Sequence, residues 1–328
     1  MANCRGVIAV ATANQTLLAF GPVPSRRLGR SLGINNIPPK FCSYSCVYCQ
    51  VGRTLSREVE PRTFYRPEEI QHAVAAQVEV VQHAGEKIDY LTFVPDGEPS
   101  LDEHLGEAID LLRPLGIKIA VISNASLVWR DDVQSMLNKA DWVSLKVDTV
   151  DEEIWRRLNR PHEQLRLRDV LRGIERFARQ YQGELCTETM LVAGINDQQA
   201  AVTAVAEFLA KIKPRKAYLS VPIRPPAEAD IRAPDEAVIN SAYQVLSGKL
   251  PDVEYLIGYE GNAFTFTGNT EQDLLSITAV HPMREEAVKT LLDKAEAGWD
   301  IVQRLLAEGK LKQVEFAGNR FYVRCIIK

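Results

Sequence analysis

Between Tyr90 and Val221, short apolar segments alternate with longer amphipathic ones. The apolar segments are Tyr90–Val94, Lys118–Ile122, Trp142–Val147, Leu185–Leu191 and Ala217–Val221. Helical periodicity marks Glu68–Ala84, Asp102–Leu112, Arg130–Asn138, Leu167–Tyr181 and Asp197–Ile212. Strands separated by helices cannot pair as hairpins, so they predict a parallel sheet with helices outside. Right-handed crossovers curl such a sheet toward a full or partial barrel, and the sequence alone does not close it. Ligands in these folds bind beyond the carboxyl ends of the strands. Those ends are where functional residues are sought.

Three cysteines fall within eight residues, Cys42-Ser-Tyr-Ser-Cys46-Val-Tyr-Cys49. A structural zinc site takes four ligands, usually as two spaced pairs. Cys4, Cys186 and Cys325 stand far away, and His72, His83, His104, His162 and His281 supply no paired spacing. Six cysteines in 328 residues are too sparse for a disulfide scaffold. Three inert core cysteines this close together are the remaining plain alternative. Three thiolates suit a 4Fe-4S cluster with one iron left without a protein ligand.

The Cys-x-x-x-Cys-x-x-Cys spacing, with the aromatic Tyr48 before the third cysteine, resembles the signature of radical S-adenosylmethionine (SAM) enzymes. The flanks Gly21-Pro-Val-Pro-Ser-Arg-Arg-Leu-Gly-Arg-Ser-Leu-Gly-Ile-Asn35 and Gln50-Val-Gly-Arg53-Thr54 resemble a prokaryotic branch related to the wyosine-base tRNA-modifying synthases. The resemblance covers residues 18 to 225. It implies a six-stranded partial (β/α) barrel, a 4Fe-4S cluster on Cys42, Cys46 and Cys49, and SAM on the open iron, with Tyr48 beside the cofactor. Reductive cleavage of SAM would yield a 5′-deoxyadenosyl radical that abstracts hydrogen from a substrate. Wyosine synthases carry further N-terminal cysteines, whereas only Cys4 lies upstream here. A general radical SAM reaction therefore ranks above wyosine synthesis, with the electron coming from an external flavodoxin or ferredoxin.

The strand ends carry the candidate site. After the first strand comes Pro95-Asp96-Gly97-Glu98-Pro99. Glycine permits close backbone approach, and Glu98 can accept hydrogen bonds from an ammonium group. The resemblance aligns this stretch with the Gly-Gly-Glu motif that holds the SAM amine, Asp96 replacing the first glycine. Ser123 and Asn124 end the next strand and are common loop residues, which the resemblance places near the SAM sugar or methionyl part. Strand alternation puts Ser144, Lys146 and Asp148 on one face. Three polar groups facing a barrel interior need partners. Ser144 is assigned to SAM, and Asp148 to a sugar hydroxyl or the substrate. Lys146 is a carboxylate partner, a Schiff-base former or simply half of a salt bridge. The resemblance adds Leu191 and Val192 against adenine. Arg224, among prolines at the last strand end, is a carboxylate or phosphate clamp.

Composition narrows the partners. The net charge of −4 argues against a generally basic nucleic-acid binder. Residues 21–66 nevertheless hold eight basic and two acidic residues, and Arg156, Arg157, Arg160 and His162 form a second basic group. Such a rim attracts an anionic substrate, either tRNA or a small metabolite or peptide. No apolar run approaches the ~20 residues that span a bilayer. The short Gly6–Ala13 stretch reads as a first strand, and clustered free thiols suit a cytoplasmic protein.

The expected organisation is a barrel with its N-terminal extension over 1–225, a linker and peripheral strands over 226–270, and a winged-helix-like α+β module over 271–328. The last rests on helical patterns at Pro282–Ala295 and Gly298–Glu308, then a hairpin turning at Ala317-Gly318-Asn319-Arg320. Fold alone does not license function. An iron–sulfur sensor with a nucleic-acid-binding tail is the alternative outside enzymes.

Overall fold

In a computed structural model, residues 18–258, 264, 266 and 268–325 are described. The strand expected at Gly6–Ala13 and the cysteine Cys4 lie outside them. Eight strands form one sheet in sequential order: β1 Ala19–Ser25, β2 Gly29–Ile34, β3 Tyr90–Phe93, β4 Lys118–Ser123, β5 Trp142–Lys146, β6 Glu184–Met190, β7 Lys216–Ser220 and β8 Val253–Leu256. From β2 to β8 every neighbouring pair is parallel. The sheet curls into an α/β half-barrel with eight strands rather than six. The additions are β1, antiparallel to β2 at one edge, and β8 at the other. Neither belongs to the alternation between Tyr90 and Val221, which is why that pattern misses both.

The helices α1 Pro67–His83, α2 Leu105–Leu112, α3 Asp131–Leu137, α4 Glu152–Leu158, α5 Leu167–Gln180, α6 Gln199–Ile212 and α7 Glu236–Ser247 join the strands. In α1, Pro67 and the acids Glu68 and Glu69 suit the first turn, and Glu69 accepts from the Arg66 N–H at 3.1 Å. Its Ile70, Val74, Val78 and Val81 recur at helical spacing and are buried. α2 begins later than its periodicity suggests, because Pro99–Leu101 forms a 3₁₀ turn capped by Glu98.

Alternation along the strands divides two cores. Leu91, Val121, Val143, Leu145 and Leu219 face the helices. Ala120, Trp142, Cys186, Tyr218 and Leu256 face inward, where Leu28 of the β1–β2 turn packs among them and plugs the bottom of the half-barrel. The interior is therefore apolar at its base and opens toward the carboxyl ends of the strands.

The tail has its own core. It comprises α8 Thr270–Val280, β9 Met283–Arg284, α9 Glu285–Lys294, α10 Asp300–Ala307, β10 Leu311–Phe316 and β11 Asn319–Arg324. The small sheet has the order β9-β11-β10. Ala317 and Gly318 both take positive φ, the two-residue turn that matches the twist of a hairpin. Leu274, Met283, Val288, Leu291, Val302 and Tyr322 fill this core, and Val23 of β1 packs against it.

Candidate functional site

The cysteine segment is fastened to the loop after β3 by backbone. Lys40 donates to the Asp96 carbonyl at 2.6 Å, and Glu98 donates to the Phe41 carbonyl at 3.1 Å. A Cβ on Gly97 would lie 1.8 Å from that same Phe41 oxygen. Glycine is required there because the cysteine segment passes against it, a reason distinct from ligand approach. On the other side, Val47 donates to the Leu158 carbonyl and Ser45 to that of Asn159, both at 3.0 Å.

The three cysteines are free thiols brought to one end of the half-barrel. Burial raises Cys42, with Glu98 and Cys46 adding to the effect. Burial and Asp148 push Cys46 up to about 12, and burial raises Cys49. Among the described residues no three His, Cys, Asp or Glu side chains close around a single ion.

Two side-chain amides are aimed at two of the sulfurs. Asn124 Nδ2 donates to Cys42 Sγ at 3.4 Å and to Ser43 Oγ at 2.9 Å. Asn159 Nδ2 lies 3.5 Å from Cys46 Sγ, 2.7 Å from Asp148 Oδ2 and 3.2 Å from the Tyr48 hydroxyl. Asp148 also accepts from the Tyr48 hydroxyl and, at 2.8 Å, from the Met190 N–H. The Asp148 carboxylate therefore has protein partners on both oxygens. It holds Tyr48 and Asn159 around Cys46.

Glu98 is fully buried. Its Oε1 accepts from the Ser100 N–H at 3.1 Å, Ser100 Oγ at 2.6 Å and Ser123 Oγ at 2.8 Å, and its Oε2 from the Asn124 N–H at 2.7 Å. Burial raises its pKa, against these hydrogen bonds. Glu98 thus joins the ends of β3 and β4, and Ser123 serves that junction.

A cleft of about 280 Å³ opens above the apolar plug, lined among others by Cys42, Tyr48, Cys49, Asp96, Gly97, Lys146 and Arg224. Asp96 is raised by burial to about 7, and its Oδ1 has no hydrogen-bond partner among the described residues. Ser144 Oγ is likewise buried without one, inward on β5. Val192 packs with Val47, Tyr48, Leu158 and Ile195 beneath the cysteine segment. Arg224 donates to Gln50 Oε1 at 2.8 Å and meets His281 Nε2 at 3.2 Å, linking the cysteine segment to the tail. Burial, with Arg224 beside it, holds His281 well below the usual histidine range.

The floor of the cleft is charged. Lys146 and Glu188 are register partners on β5 and β6, with Nζ 3.1 Å from Oε1. Arg27 donates to Glu188 Oε2, and Ser220 Oγ donates to Oε1 at 2.9 Å. Burial works to lower Lys146, but Glu188 and Asp148 outweigh it and hold the ammonium above its ordinary range. Burial works to raise Glu188, but Lys146 and Arg27 outweigh it and hold its carboxyl at about 2. Lys146 Nζ also lies 4.9 Å from the Tyr48 ring centroid, at cation–π distance. A lysine so held is a fixed cation, not a free amine poised for a Schiff base.

Family comparison agrees with the thiol arrangement. Residues 36–205 match the model of the radical SAM superfamily. The chain belongs to the radical SAM superfamily. A UPF0026 protein of Methanocaldococcus jannaschii is 49% identical over 312 residues, covering 94% of this chain and 96% of that one. A UPF0026 protein of Helicobacter pylori is 35% identical over 215 residues, covering 63% and 67%. Among solved structures, a radical SAM methyltransferase from Sphaerobacter thermophilus has a TM-score of 0.51 at 16% identity, covering 69% of this chain and 66% of that one. Streptococcus suis SuiB bound to S-adenosylmethionine has the same score at 11% identity, covering 68% and 49%. These two likenesses concern the fold.

The residues present fit what a radical SAM site must hold. Cys42 and Cys49 line the cleft together with Asp96, whose Oδ1 has no hydrogen-bond partner among the described residues and can meet a polar ligand. The basic rim is largely engaged locally. Arg53 and Arg160 pair with Glu228, Arg30 with Glu86, Arg62 with Glu58, Arg66 with Glu69 and Arg156 with Glu152. Glu188, Ser220 and Asn159 escaped the sequence reading, in which Arg27 counts only as part of the basic rim. The available signal for Glu188 was a carboxylate in mid-strand at the same parity as Cys186 and Met190, which places it inside the barrel.

Proposed function

We propose that Cys42, Cys46 and Cys49 hold a 4Fe-4S cluster whose open iron takes SAM, and that the cleft holds an anionic substrate beside it. The carrying observation is that Cys42, Cys49 and Asp96, whose Oδ1 has no hydrogen-bond partner among the described residues, line one cleft, with Cys46 between the two cysteines on the same short segment. Bound there, the cluster and SAM supply reductive cleavage to a 5′-deoxyadenosyl radical, the chemistry of the family. The chain's own residues do the rest. Asn124 and Asn159 donate to the thiolates, Glu98 fixes the loop that carries Asn124, and its Oε2 keeps a lone pair for the SAM amine. Tyr48 and Lys146 wall the cofactor side, and Arg224 holds the cysteine segment in place through Gln50.

The electron donor in this reading is an external flavodoxin or ferredoxin, and the setting is cytoplasmic. No helix among the described residues is long and apolar enough to cross a membrane. Residues 1–225 and 271–328 are read as a catalytic barrel and a winged-helix-like module; in between, α7 and β8 extend the main sheet. A tRNA base is one substrate candidate, and a small metabolite or peptide is the other. Local pairing of the basic rim favours a small molecule entering the cleft over a nucleic acid lying across it. Comparing the modified nucleosides of tRNA from cells with and without the gene tests this, since a missing nucleoside would restore the RNA candidate. Cluster-dependent DNA binding without SAM cleavage would favour the sensor alternative.

A further inference from the structure

The cleft floor contains a cation whose bonding is incomplete. Arg27 comes from the β1–β2 turn, one residue before the Leu28 plug, and its side chain is only 17% exposed. One of its terminal nitrogens donates to Glu188. Its Nε–H is buried and has no hydrogen-bond partner among the described residues. A buried N–H of a charged guanidinium left unpaired is costly, and the Nε edge suits a carboxylate. Around it, Arg26, Arg27, Lys40, Lys146 and Arg224 line the cleft against Asp96 and Glu188, an excess of three positive charges.

We propose that this floor is a subsite for a carboxylate of the substrate, which accepts from Arg27 Nε while Glu188, Lys146 and Ser220 fix the guanidinium. This deepens the radical SAM reading above and rests on it. The choice of carboxylate follows from the surroundings. Ile122, Val221 and Leu256 also line the cleft. A flat group with two oxygens can use the Nε edge between such walls. A phosphate carries a further charged oxygen that the single unpaired Nε–H does not serve. The subsite is built by Lys146 and Ser220, the last residues of β5 and β7, and by Glu188 near the end of β6, with Arg27 reaching them from the β1–β2 turn.

The test follows modification of Arg27 by phenylglyoxal, read by peptide mass spectrometry on the anaerobically reconstituted wild-type protein. Arg179, which is exposed, is the internal control. Propionate, phosphate and SAM are added separately, and SAM cleavage is measured in the same preparation. Saturating propionate is expected to slow modification of Arg27 roughly tenfold, the scale of one charge-assisted hydrogen bond, and to leave Arg179 unchanged. SAM alone leaves the rate at Arg27 unchanged, and phosphate protects less than propionate. In calorimetric titrations, Arg27→Gln binds propionate about tenfold more weakly than wild type. Protection by SAM alone would reassign Arg27 to the cofactor and overturn the subsite. Stronger protection by phosphate would overturn the carboxylate assignment. No protection by propionate in protein that cleaves SAM would remove the subsite and leave the radical SAM reading intact. Protection in cluster-loaded protein that does not cleave SAM would retain the carboxylate site and remove that reading.

Discussion

Lys146 Nζ and Glu188 Oε1 lie 3.1 Å apart on register-matched residues of neighbouring strands, inside the barrel. Glu188 also takes Arg27, so one buried carboxylate holds two cations. Glu188→Gln should therefore lower stability by about 3–5 kcal/mol, the cost of leaving buried charge uncompensated. Chemical denaturation measures it, and a loss below ~1 kcal/mol would show that the cations are compensated elsewhere.

The same carboxylate predicts an acid dependence. Its folded pKa is depressed to about 2 against an ordinary value of 4.5. The stabilisation is therefore present above pH 4.5 and lost as pH falls toward 2. Its size is roughly 3 kcal/mol. Denaturation midpoints followed from pH 5 to pH 2 should fall more steeply in wild type than in Glu188→Gln. Parallel curves would contradict this.

Asn124 and Asn159 donate to the sulfurs of Cys42 and Cys46. Such hydrogen bonds favour electron-rich thiolates and raise a cluster's reduction potential. One bond of about 1 kcal/mol corresponds to on the order of 40 mV for a one-electron couple. Asn124→Ala and Asn159→Ala should each lower the midpoint potential by that order in an EPR-monitored redox titration. An unchanged potential in both variants would show that the amides serve packing alone.

Gly97 meets the Phe41 carbonyl where any Cβ would collide, at 1.8 Å. Gly97→Ala must displace either the β3 loop or the cysteine segment. Iron content after reconstitution should drop several-fold, with destabilisation of about 1–3 kcal/mol. Full iron loading with wild-type stability would mean the two segments separate freely.

Much of this was legible in the sequence, and the exceptions have physical causes. The strands and most helices between Glu68 and Val221 fall within a few residues of their periodic patterns, because burial on one face imposes the period. Glu98 and Asn124, read at strand ends, lie against the cysteine segment. Asp148 was read from alternation alone. Its partners Tyr48, Asn159 and the Met190 N–H come from three other segments that one sequence does not bring together. Arg27 sits in a turn at the amino-terminal side of β2, whereas ligands in such folds are expected beyond the carboxyl ends of strands. Only the β1–β2 turn folding back under the sheet brings it to Glu188.

The central claim is that these three cysteines support reductive cleavage of SAM. The direct measurement is 5′-deoxyadenosine formed by the anaerobically reconstituted, dithionite-reduced protein supplied with SAM. Wild-type protein carrying about four irons should produce it, and Cys46→Ala should lose both the cluster and the product. A fully loaded wild type that forms no 5′-deoxyadenosine, or a Cys46→Ala variant that forms it at the wild-type rate, would contradict the account.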